Sequence, residues 1–176
     1  MDAIQALKTR RSVRKYSRRE VPSELVRDIV DCGRLAATAL NLQPWEFVVV
    51  TDEAVRRKIA GVAEHGKFIA EAPVCIAVFC RADKKYFLED GSAATQNMLV
   101  AATAHGLGSC WVAGHKKDYA EAVQEYLGIP GTHTLVSLVA VGYAAGETAG
   151  PKKRSLEDVL HRERFGAVEP PSGSGV

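Results

Sequence analysis

Short apolar runs rich in β-branched residues alternate along this chain with helix-patterned segments, and that alternation restricts the fold more than any other feature. The runs are EFVVVT at 46–51, PVCIAVFC at 73–80, SCWVA at 109–113 and TLVSLVAVGYA at 134–144. Residues 2–9 suit a short helix capped by Asp2, and Pro22-Ser23 opens a longer one through about Ala39. Leu25, Ile29, Val30 and Ala36 fall near one face of that helix. DEAVRRKIAGVA is amphipathic, residues 89–105 form a largely buried helix stopped by Gly106 and Gly108, and a further helix lies near 117–127. Strand–helix alternation by itself suggests a doubly wound parallel sheet. Such a sheet grips a dinucleotide through a glycine-rich turn after a strand. Here VVVT runs into DEAV with no glycine, and the G-x-G of GLGSCW follows a helix. The parallel fold lacks its fingerprint.

Composition narrows the class. With 176 residues, 47% hydrophobic and 25% charged, the chain reads as one globular domain over 1–166, followed by a flexible tail at 167–176, AVEPPSGSGV. No apolar run approaches the ~20 residues that cross a bilayer, and MDAIQALKTR is no secretory signal, so a soluble cytoplasmic protein with no membrane partner is expected. A net charge of +2 argues against a dedicated nucleic-acid binder. Cys32, Cys75, Cys80 and Cys110 form no C-x-x-C pair, and no metal site is expected. The histidines, at 65, 105, 115, 133 and 161, are scattered and have no carboxylate or thiol partner at catalytic spacing.

Against that balance, RRSVRKYSRR at 10–19 places Arg or Lys at six of ten positions. Such a cluster can solvate a surface, grip nucleic acid or hold a cofactor phosphate. NLQPW, from Asn41 to Trp45, either ends a helix with an Asn cap and a buried Trp or offers amide groups to a heterocycle. GLGSCWVAG is either a helix stop with a core strand or a backbone that a flat ring can approach closely. PKKRSLEDV is either a solvated basic turn or a phosphate clamp at the start of a short helix, with Ser155 and Asp158 in a capping arrangement.

Taken together, RRSVRKY after a first helix, TALNLQPWEF, QNMLVAATAHGLGSCW and a late K-x-R resemble, in order and spacing, the nitroreductase family of FMN-dependent oxidoreductases. The resemblance spans residues 2–166. It implies an α+β fold with a mainly antiparallel central sheet flanked by helices, in an intertwined homodimer. It implies that Arg10, Arg11, Ser12 and Arg14 hold the FMN phosphate and ribityl chain, with Lys152 and Arg154 closing on the same phosphate. Thr38, Asn41 and Gln43 would enter the flavin pocket from the other subunit. Trp111, Val112 and Gly114 would line the ring side, with a main-chain N–H near flavin N5. Asn97, beside Gln96 on the buried helix, either faces the pocket or only packs, and Lys67 corresponds to a basic residue near the flavin pyrimidine.

The activity implied is ping-pong transfer of hydride from NAD(P)H through flavin N5 to a small organic acceptor such as a nitro compound or quinone. No catalytic side chain is required, because the cofactor carries the chemistry. The same scaffold would also suit other FMN chemistry, dehydrogenation or dehalogenation, or a non-catalytic flavin-binding role. Two departures stand out. Ala37-Thr38 replaces the family's frequent Pro-Ser, and the short stretch from Arg81 to Asp90 leaves little room for a lid over the substrate.

Overall fold

The structure is a computed structural model that describes residues 1–167. Past Ala167, the expected tail lies outside the described residues. Five helices, α1 (Ala3–Thr9), α2 (Ser23–Arg34), α3 (Glu53–Val62), α4 (Phe87–Ala104) and α5 (Ala120–Tyr126), surround strands β1 (Trp45–Val50), β2 (Val74–Arg81), β3 (Gly108–Ala113) and β4 (His133–Gly142). The strands form one sheet in the order β1-β2-β4-β3, and every pairing is antiparallel. The doubly wound parallel arrangement is therefore excluded, and the α+β expectation holds.

The pleat explains how one sheet carries two cores. Side chains alternate across a strand, so Val74, Ile76, Val78 and Cys80 of β2 face one way and Cys75, Ala77 and Phe79 the other. The first set packs with Val26 and Ile29 of α2 and with Ala94, Met98 and Ala102 of α4. The second packs with Ile59 of α3, Ile69 and Val123 of α5. β4 contributes to both layers, and an irregularity opposite Val78/Phe79 resets its alternation. Both central strands are thus covered on both faces, and β1 and β3 are the outer strands of the sheet.

Caps set the helix ends. Asp2 accepts from the Gln5 amide at 2.8 Å and Asp52 from the Val55 amide at 2.9 Å, so α1 and α3 start where an acidic cap precedes an apolar pattern. α4 stops at a left-handed Gly106, with the Leu107 amide donating to the Ala102 carbonyl at 2.8 Å. Two expectations need correction. α2 ends at Arg34 rather than near Ala39, because the Ala36 amide turns back to Gly33 and the carboxylate of Asp90 captures Thr38 and Ala39. Among the described residues no helix follows Lys152 and Arg154. Ser155 and Asp158 do bond to each other's amides, yet the result is only a hydrogen-bonded turn.

The buried acids make a stability prediction. Burial pushes the Cys75 and Cys80 thiols up to about 12 from an ordinary 9.0, and it raises the Tyr16 phenol as well. The two thiols stay neutral in the folded chain while those of the unfolded chain ionise, so their stabilisation is complete below about pH 9 and is lost as pH rises toward about 12. The loss from Tyr16 sets in above about pH 10. The urea midpoint is expected to hold steady through neutral pH and to fall steeply between about pH 9 and pH 12. A midpoint that stays flat across that range would contradict the burial of these thiols.

Candidate functional site

The basic segment docks along the ends of β3 and β4. Val13 and Tyr16, three apart, are the buried positions, and Arg11, Arg14 and Lys15 between and beside them are exposed. The Val13 amide donates to the Ser109 carbonyl at 3.0 Å, and the Ser17 amide donates to Tyr143 at 2.8 Å. The Tyr16 hydroxyl donates to the Val13 carbonyl at 2.6 Å. The apolar residues of RRSVRKY are anchors, and anchoring them turns the cations outward.

Beside this segment lies a cavity of about 500 Å³, lined by Arg14, Lys67, Phe68, Cys110, Trp111, Val112, Ala113 and Tyr119, with Glu64, His65 and Lys117 at its wall. The Arg14 guanidinium sits 5.9 Å from the centre of the Phe68 ring. Lys67 donates its ammonium to the Gly61 carbonyl at 2.8 Å. Burial raises the Cys110 thiol, while the charges of Arg14 and Arg10 and a hydrogen bond with Ser12 pull it the other way. A thiol so raised stays protonated at neutral pH and is no nucleophile.

The outer edge of β3 supplies main-chain groups. Successive backbone groups of a strand point to opposite edges. The Ser109 carbonyl is bonded from outside by Val13, and the Ala113 carbonyl by the Tyr119 hydroxyl. Trp111, midway between them, therefore presents its N–H and C=O on the same outer edge, toward the cavity it lines.

Other expected site residues lie elsewhere. Gly114 is buried next to this strand, and its amide is engaged by the Val136 carbonyl at 2.9 Å. A Cβ there would stand 2.5 Å from Leu135. Arg11 donates to the carbonyls of Lys8 and Arg10, at the end of α1, and its Cδ fills the space over Gly150. That contact brings the segment holding Lys152 and Arg154 up to the basic cluster, though both residues are exposed outside the cavity lining and Arg154 bonds the Asp158 carbonyl. Asn97 donates to the Cys32 carbonyl at 3.1 Å, in the seam between α2 and α4.

Thr38, Asn41 and Gln43 precede β1, at the opposite edge of the sheet from β3. Their loop holds Leu40, Asn41 and Gln43 at φ of 52°, 55° and 46°. Each left-handed non-glycine residue costs on the order of 1 kcal/mol, so the loop needs outside support. Thr38 donates to Asp90 at 2.8 Å, the Gln43 amide donates to the Thr38 hydroxyl at 3.1 Å, and the Gln43 side chain reaches Asn41 Oδ1 at 3.1 Å. Sequence reasoning passed over Phe68, Tyr119 and Asp90. Phe68 and Tyr119 had one usable signal, each lying within two residues of a lysine in a turn.

Comparison with known proteins agrees on one family. The sequence profile of the nitroreductase family matches residues 7–66 and 62–143. A Methanothermobacter thermautotrophicus protein bearing the name NADH dehydrogenase/NAD(P)H nitroreductase is 35% identical over 170 residues, which are 94% of this chain and 88% of that one. A crystal structure under the same name from Bacteroides thetaiotaomicron superposes with a TM-score of 0.87 at 30% identity, covering 92% of this chain and 98% of that chain. A nitroreductase from Desulfovibrio desulfuricans, solved in complex with FMN, superposes with a TM-score of 0.83 at 30% identity, covering 94% and 98%.

The contact between the basic segment and β3 is tight enough to test. A Cβ on Gly108 would stand 2.8 Å from Val13 Cβ, which cannot swing aside. Gly108→Ala is expected to cost about 1–3 kcal/mol in chemical unfolding. A wild-type unfolding curve for this variant would refute the packing described here.

Proposed function

The chain belongs to the nitroreductase family, and from that premise we propose that it is an FMN-dependent NAD(P)H oxidoreductase that reduces a small organic acceptor. One observation carries the reading. The Arg14 guanidinium stands over the Phe68 ring in a cavity that Trp111 and Tyr119 also line, beside the basic segment and the outer strand edge. An FMN molecule has a phosphate, a polyol and a flat ring with donors and acceptors on its rim. Guanidinium forks match phosphate oxygens, and Ser12 adds a hydroxyl. Phe68, Trp111 and Tyr119 give the ring apolar surface, and the volume suits a small-molecule site of about 300–1,000 Å³. The residues present fit the group.

When bound, FMN supplies hydride acceptance from NAD(P)H and hydride delivery to a nitro compound, quinone or similar acceptor. The chain's own residues hold and orient it. Arg10 and Arg14 take the phosphate and ribityl chain, with Lys152 and Arg154 joining from the segment that Gly150 seats on Arg11. Arg11 braces that junction. Lys67 stands as a cation at the ring's pyrimidine side, where it stabilises negative charge. The main-chain donor at the ring is the Trp111 N–H, since Gly114 already bonds Val136. Val112 lines that wall, Gly114 lets the chain after β3 pack against Leu135, and Asn97 holds α4 against α2. No side chain is needed as nucleophile or acid–base pair.

The site is completed by a second copy of the chain. Thr38, Asn41 and Gln43 sit at the β1 edge, with β2 and β4 between them and the cavity. Exposed Leu35, Leu40 and Leu42 on and before that loop give it an apolar surface to bury, Leu40 being 90% exposed. A homodimer in which each copy lends this loop to the other's cavity answers both observations.

The visible spectrum of the purified protein, before and after anaerobic NADH or NADPH, is the direct test. The protein is expected to be yellow and to bleach on addition of either reductant. Arg14→Ala is expected to lose most of its flavin with an unchanged circular dichroism spectrum. A colourless wild type that takes up no added FMN would overturn the reading, and a flavin that no nicotinamide bleaches would leave binding without the oxidoreductase activity.

A further inference from the structure

We propose that Asp90 is a positioning residue, whose buried carboxylate locks the Thr38–Gln43 loop into the shape the flavin site needs and in doing so withholds the Thr38 hydroxyl from the cofactor. The inference rests on the flavin-site reading above, but the lock itself is a property of the chain.

Asp90 is 4% exposed in the first turn of α4. Its Oδ2 accepts from the Thr38 hydroxyl at 2.8 Å and its Oδ1 from the Ala39 amide at 3.1 Å. A hydroxyl carries one proton. That of Thr38 is directed at Asp90, and its oxygen takes the Gln43 amide at 3.1 Å, so Thr38 bridges the two ends of the loop. Within the loop Leu40, Asn41 and Gln43 are left-handed, and the local support is one short 3-10 turn over Ala39–Asn41, with the Asn41 amide on the Thr38 carbonyl at 3.3 Å and the Leu42 amide on the Ala39 carbonyl at 3.0 Å. α4 is wedged between α2 and the sheet, which gives the carboxylate a fixed base. Only a carboxylate accepts at both oxygens. An amide at this position could still meet the Ala39 amide with its oxygen, but its N–H would have to donate to the Thr38 oxygen, which strips the hydroxyl proton of its acceptor and removes the charge that strengthens both bonds.

The same geometry divides the work in the loop. Thr38 is a strut, and the side-chain amides of Asn41 and Gln43, exposed and bonded to each other at 3.1 Å, are the groups left to meet a ligand. Thr38 and Asp90 therefore act as one unit, and their losses should not add.

The test is a double-mutant cycle read as FMN affinity by quenching of flavin fluorescence, with amide hydrogen exchange over 38–43 measured on the same proteins. Asp90→Asn and Thr38→Val are each expected to weaken FMN binding by about tenfold or more. The double variant should be no weaker than either single one, and Thr38→Ser should bind as wild type does. Exchange at 38–43 should quicken in Asp90→Asn and Thr38→Val while the urea transition stays cooperative. Weakening by Thr38→Val but not by Asp90→Asn would mean that Thr38 meets the flavin itself, and that overturns the proposal, as do additive losses or wild-type affinity in both. If the wild type takes up no FMN, the flavin reading fails separately and exchange alone decides the lock: unchanged rates at 38–43 in Asp90→Asn would then overturn it.

Discussion

The candidate site depends on the seating of Val13 and Tyr16 against the ends of β3 and β4. Both side chains are buried, and burying a residue of that size is worth about 1.5–3 kcal/mol. The Tyr16 hydroxyl then satisfies the Val13 carbonyl and approaches the Ala140 carbonyl at 3.3 Å, so the segment is tied to the sheet through polar groups as well. An open strand edge invites pairing with any extended chain. The segment covers the β3 edge at Ser109 and Tyr119 covers it at Ala113, while between them the Trp111 carbonyl takes the Cys110 thiol at 3.8 Å and the Trp111 N–H faces the same edge. A cluster of cations beside the outward-facing main chain of β3 follows from where two apolar side chains are placed.

The sheet behind that edge is rigid because β2 and β4 are buried on both faces. This property made the strands easy to read and their direction hard to read. PVCIAVFC and TLVSLVAVGYA are nearly continuous apolar runs, the pattern that usually marks a parallel sheet between two helical layers. Here helices cover both faces of an antiparallel sheet. The run records the burial, and the direction depends on which strands meet. β2 pairs with β4 across more than fifty residues of intervening chain, and no local pattern encodes that partner. The end of α2 teaches the same point. RLAATAL continues a plausible helical pattern, and what ends the helix is a carboxylate on α4 together with the turn at Gly33.

The site was legible to the extent that its residues lie close together in sequence. Arg14, Trp111 and Val112 come from two continuous stretches that the fold lays side by side, and Lys67 lines the same cavity from the turn after α3. Arg11 and Asn97 show the limit of that logic. The type and position of each suit a ligand, yet their donors bond main-chain carbonyls at Lys8 and Cys32. Phe68 and Tyr119 escaped notice because an aromatic residue in a helix-like segment is ordinarily core. Asp90 escaped because an acid in the first turn of a helix already has a reason to be there, the helix dipole.

The expected flavin residues fall at both sheet edges, and that placement has a consequence for the proposed site. Crossing from β1 to β3 takes three inter-strand spacings of roughly 4.8 Å, about 14 Å in all, with packed side chains above and below. No side chain in the Thr38–Gln43 loop spans that distance, and the filled cores leave it no path. If the loop serves the cavity, it serves the cavity of another copy, and a two-fold axis then fills both sites with the same contacts. Cofactor retention and assembly become linked equilibria. FMN that touches both copies must stabilise the pair by mass action, and dilution that separates the copies must loosen FMN. The strain in the left-handed loop bears on the same balance. A loop already fixed by Asp90 loses little freedom on docking, so more of the contact energy remains for holding the copies together.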